Sequence, residues 1–110
     1  MRHSTTAIVA RNETWTGVSA TEPYEAGWAS EVVIFVRALR DTSGASAKAR
    51  VQISPDGMRW VDEGTSLDLP KARDEVTFAR LGHFGNWVRI AATLPEGSEA
   101  RVLVTIHAKA

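Results

Sequence analysis

Val51 to Glu63, VQISPDGMRWVDE, is the stretch whose reading decides the fold. Val51 and Ile53 alternate with Gln52 and Ser54, the pattern of a strand with one buried face. Pro55-Asp56-Gly57 then supplies a turn: proline fixes its own φ, aspartate bonds nearby backbone, and glycine accepts a positive φ. Arg59 to Glu63 resumes an extended course, so the segment reads as a β-hairpin with Trp60 just past the bend.

The same reading extends outward in both directions. Ala47 to Ser54 places Ala49, Val51 and Ile53 on one face, and Ser30 to Asp41 contains the strongest strand signal. Its continuous run Val32-Val33-Ile34-Phe35-Val36 is expected where both faces of a strand are covered. Gly64 to Arg73 reads as a loop closed by Pro70, and Glu75 to Arg80 as a strand with Val76 and Phe78 on its apolar face. Leu81 to Gly85 forms a glycine-flanked corner holding His83 and Phe84. Asn86 to Leu94 and Ala100 to Ala108 alternate around the turn Pro95 to Glu99, with Val88, Ile90, Ala92, Val102, Val104 and Ile106 inward.

Residues 1 to 30 are the least regular. Thr5 to Ala10 reads as a short strand, and Trp15, Tyr24 and Trp28 follow in a stretch without clean alternation. Those rings either cover one end of the core or form an arm that packs on a neighbouring subunit, since Trp and Tyr are enriched at interfaces. Seven or eight short strands with turn signals between them, and no amphipathic helix, predict an all-β, jelly-roll-like antiparallel β-sandwich. The 110 residues suit a single domain.

Composition narrows the function. Thirteen Lys plus Arg balance thirteen Asp plus Glu, which removes the usual electrostatic footprint of a nucleic-acid binder and leaves little repulsion between copies. No apolar run approaches the ~20 residues of a membrane span, and Met1-Arg2-His3-Ser4 begins no signal-type apolar region. The absence of cysteine excludes disulfides, thiolate zinc sites and cysteine nucleophiles.

His3, His83 and His107 stand at no metal-ligand spacing, and no GxSxG elbow or phosphate-cradling glycine loop occurs. Asp62 and Glu63 point to opposite faces of a strand, and Asp56-Gly57 reads as turn chemistry. The expectation is a non-enzyme with no cofactor and no metal. Trp60 and Trp87 carry two readings: Trp60 as a plug of the core, supported by Val61, or both rings as stacking platforms for a carbohydrate near Arg59, Asp62 and Asn86.

Ser54-Pro55-Asp56-Gly57-Met58-Arg59-Trp60 matches an S-x-D-G-x-x-W hairpin, and Trp87-Val88-Arg89-Ile90 matches an aromatic-V-R-hydrophobic strand. The pair, with the polar turn and alternating strand after it, resembles short β-sandwich proteins encoded among bacteriophage structural genes. It is also similar, more weakly, to discoidin or galactose-binding-like sandwiches. The first resemblance implies a virion-associated subunit, such as a capsid decoration or tail-associated protein; without it the expected location is cytoplasmic. The second implies a ligand site in loops at one end, though those loops carry no matching binding motif. The sequence therefore favours a protein that assembles or docks, a homo-oligomer or part of a larger complex, viral or not. Its candidate interface residues are Trp15, Tyr24, Trp28, His83 and Phe84, with Trp60 and Trp87 reserved for the carbohydrate alternative.

Overall fold

In the computed structural model, which describes residues 3–110, period-two alternation resolves into nine strands among the described residues. They are β1 (Ser4–Trp15), β2 (Val18–Ala20), β3 (Tyr24–Glu25), β4 (Glu31–Ala38), β5 (Lys48–Ser54), β6 (Val61–Asp68), β7 (Val76–Gly82), β8 (Trp87–Thr93) and β9 (Ala100–Lys109). A four-stranded sheet runs β1-β9-β4-β7, and a five-stranded sheet runs β2-β8-β5-β6 with β3 also on β8. All pairings are antiparallel. The protein is an all-β sandwich, and this strand order is that of a jelly roll.

β2 and β3 are one interrupted strand, which reconciles nine elements with the eight of a jelly roll. Thr21 spans the break: its N–H donates to the Ile90 carbonyl at 2.9 Å, and its Oγ1 accepts from the Ile90 N–H at 3.1 Å. Pro23, with no N–H to give, follows two residues later.

The core lies between the sheets. Val32, Ile34 and Val36 of β4 meet Val51, Val88 and Ile90 of the other sheet, with Val102, Val104 and Ile106 of β9 beside them, all essentially inaccessible. Burying a side chain of that size contributes about 1.5–3 kcal/mol each, so these two central strands dominate the sandwich.

Four local expectations are corrected. The first strand does not stop at Ala10: two register shifts, with Asn12 at φ 52°, carry β1 on to Trp15, opposite Ala100. Trp15 is thereby only 1% exposed, so it is a core residue rather than an interface anchor, and residues 4–25 supply strands to both sheets of their own chain. Next, Gly64 to Asp68 is not loop but the second half of β6, because Gly64 at φ 114° absorbs a register shift and lets pairing resume at Ser66. Third, β7 is read in the opposite phase: Ala79 and Leu81 are buried, while Val76 and Phe78 face outward. Finally, the outer face of β4 has no cover within the chain, so Val33 and Phe35 remain half-exposed.

Removing the Trp15 ring leaves a cavity that β1, tied to β9 on one side, closes only in part. Trp15→Ala is expected to lower stability by about 3–5 kcal/mol. A urea titration checks this, and a loss below about 1 kcal/mol refutes the core assignment.

Candidate interaction surfaces

The two sequence motifs form one structural unit. Ser54 and Trp87 are register partners on β5 and β8, which sets the hairpin turn over the Trp87 ring. A Cβ on Gly57 would stand 3.3 Å from that ring, and Gly57 has φ 80°, so glycine is required twice over. Buried Ser54 accepts through Oγ from the N–H groups of Asp56 (3.2 Å) and Gly57 (2.8 Å). Asp56 Oδ1 accepts from the N–H groups of Arg59 (2.9 Å) and Met58 (2.8 Å), while the Arg59 guanidinium donates to Oδ2 at 2.7 Å. The backbone N–H of Arg59, then that of Met58, holds the Asp56 carboxyl down to about 2 from an ordinary 3.8.

Trp60 leaves this turn on the outer face of the five-stranded sheet, half-buried, and is not a plug of the core. Its neighbour Val61 is 58% exposed at the edge strand, so it gives the ring no cover. The Arg89 guanidinium instead lies 4.4 Å over the indole. Arg89 Nε donates to Gln52 at 2.7 Å, Gln52 donates to Asp62 at 3.0 Å, and Arg50 pairs with Asp62 at 3.3 Å. Partial burial, with Arg50 close by, pushes the Arg89 pKa down. The result is a polar ladder with one aromatic at its end.

The predicted interface residues do not form one surface. Phe84 is buried like Trp15, its aim set by the left-handed turn at His83 (φ 54°), while His83 itself is exposed. Tyr24 packs half-buried against the core, and Trp28, 39% exposed, meets His3 edge to face at 4.9 Å. Phe84 does line a cleft of about 380 Å³ with Ile53, Pro55, Val61 and Asn86, between the hairpin and the His83 corner. Trp60 and Trp87 both lie on the outer face of the five-stranded sheet, the first under Arg89 and the second under the Gly57 turn.

A surface missed by the sequence reading lies on the outside of the four-stranded sheet. Across its strands Ile8 pairs with Thr105, Thr105 with Phe35, and Phe35 with Phe78, giving one continuous row. Ile8 is 41% exposed and Phe78 51%; the adjoining row Leu103-Arg37-Val76 ends in Val76 at 50%. The Phe35 ring stands 6.1 Å from Phe78 and 5.0 Å, edge-on, from His107, and the Arg80 guanidinium lies 5.2 Å over Phe78. Scattered exposed apolar residues are ordinary, but a contiguous set marks a contact surface. The signal was present in the unbroken Val32 to Val36 run, which called for cover on both faces of β4.

Two measurements test the hairpin unit. Gly57→Ala is expected to cost about 1–2 kcal/mol through its left-handed φ alone, read as a lowered urea midpoint. Folded Asp56 titrates near 2 against 3.8 unfolded, so its carboxylate stabilises the fold above pH 3.8 and that contribution is lost as pH falls through 2. The stability gap between wild type and Asp56→Ala should be full at neutral pH and shrink through that window. A gap that stays constant into acid contradicts the assignment.

No family model matches the chain, and no curated protein matches it by sequence. Among solved structures it is similar to the crystal structure of SPBc2 prophage-derived protein YomS, with a TM-score of 0.65 and 10% sequence identity. The similarity covers 100% of this chain and 96% of that one. At that identity the likeness is one of fold, extending over the whole sandwich.

Proposed function

We propose that this chain is a non-catalytic structural protein of bacteriophage type, which acts by docking into a larger protein assembly. The observation that carries the reading is the uncovered apolar row Ile8-Thr105-Phe35-Phe78 on the outside of the four-stranded sheet. A β-sandwich with one apolar outer face is built to be a layer in something larger, because that face remains solvated until a partner covers it. The full-length likeness to a prophage-derived protein supports the phage setting. Capsid decoration and tail association are the roles that suit such a subunit.

A carbohydrate-binding module is the second reading, favoured by Trp60 beside the Gln52-Asp62-Arg50 ladder. It is the weaker of the two. One face of the Trp60 indole is already occupied by Arg89, and the ladder's polar groups are bonded to one another rather than left open for sugar hydroxyls.

Mass spectrometry of purified phage particles from the source of this sequence tests the assembly reading, with the chain expected as a particle component. Its absence from particles, joined with a tryptophan fluorescence shift on adding a glycan, would sink that reading in favour of sugar binding.

A further inference from the structure

We infer that the outer face of the four-stranded sheet is the contact surface of a two-fold homodimer, with the axis running along the strands between β4 and β9. The pairing deepens the assembly reading above by naming a second copy of this chain as the partner.

Register alone determines what such an axis would bring together. It sets β4 against β9 of the second copy and β7 against its β1, row by row. Phe78 then faces Ile8 of the second copy, Phe35 faces its Thr105, and Arg37 faces its Leu103. Glu31 faces Lys109 of the second copy. These two are register partners within the chain, yet no ion pair joins them among the described residues. No two like charges are opposed anywhere in this arrangement: Arg80 meets Thr6, and Val33 meets His107. A two-fold across the strands through Thr105 would instead set Lys109 against Arg101 of the copy, two cations face to face. The surface is thus complementary to itself about one axis and not the other.

The dimensions also suit a dimer. Four strands at ~4.8 Å and four outward rows at ~6.8 Å give roughly 500 Å² of projected area, which side-chain relief enlarges toward the ~800 Å² per partner of a standard interface. Two such faces pack as sheets do in a sandwich, strands within ~30° of parallel and aromatic side chains interdigitated. With equal numbers of positive and negative residues, copies do not repel.

Sedimentation velocity over a concentration series of the purified chain tests this, with a monomer–dimer equilibrium expected. Phe78→Ser, and separately Glu31→Lys, should each raise the dissociation constant at least ~10-fold, the first by removing an aromatic anchor from both symmetric contacts and the second by setting like charges face to face twice. The double reversal Glu31→Lys with Lys109→Glu should recover most of the lost affinity. Both positions are on the surface, so thermal unfolding of the dilute variants serves as the folding control. Because the chain has no cysteine, Thr105→Cys provides a second readout: a short bis-maleimide should give covalent dimer there and not with Ser66→Cys on the opposite face. A chain that stays monomeric at ~1 mM, or a dimer indifferent to Phe78→Ser and Glu31→Lys, overturns the inference, since aromatic anchors and opposed charges carry much of an interface. A monomer that is nonetheless recovered in particles removes the two-fold and leaves the assembly reading intact; a dimer absent from particles does the reverse.

Discussion

Everything in this sandwich depends on β9 lying between β1 and β4. Its alternation from Ala100 to Lys109 buries Val102, Val104 and Ile106 and, with equal strictness, commits Leu103, Thr105 and His107 to the other side. A strand has two faces and no third option. Once the inward set is fixed by the core, the outward set of β4 follows through the register Phe35 to Thr105, and that of β7 through Phe35 to Phe78. The apolar outer face is thus a product of the same constraint that makes the core, expressed on the side that the chain cannot cover by itself.

The conspicuous sequence motif has a structural explanation. In S-P-D-G-M-R-W the polar, glycine and aromatic positions have local work: Ser54 accepts two N–H groups, Asp56 accepts two more, Gly57 clears the Trp87 ring, and Trp60 supports Arg89. A tight turn above a large aromatic needs those residue types with or without a ligand. The surface best suited to a partner carries no motif at all. It is made from Ile8, Phe35, Phe78, Leu103 and Val76 interleaved with Thr105 and Arg37 on four strands, brought side by side only by the jelly-roll order.

That contrast explains what could be read in advance. Fold class, the hairpin and the inward faces of β5, β8 and β9 were legible, because period-two patterns and turn residues are local signals. The extent of β1 and β6 was not, since a bulge breaks the period at Asn12 and Gly64 while pairing continues beyond it. In β7 the residues VTFARLG fit two phases. The larger side chains, Val76 and Phe78, suggest one, while Ala79 and Leu81 against β4 impose the other. Burial of Trp15 and Phe84 likewise follows from where β1 and the His83 corner end up, which is long-range information.

The jelly-roll order also has a consequence in time. β1 and β4 each pair with β9, from Ser4 against Lys109 to Glu31 against Lys109, so neither can complete its ladder before β9 has been synthesised. Until then a nascent chain holds two strands with open edges and an apolar core half-assembled, the state in which β proteins are most exposed to wrong partners. Contacts that span nearly the whole sequence also make for slow folding. Closing both ladders is therefore one late event, and until it happens the chain presents the edges and core residues that another copy of itself could pair with.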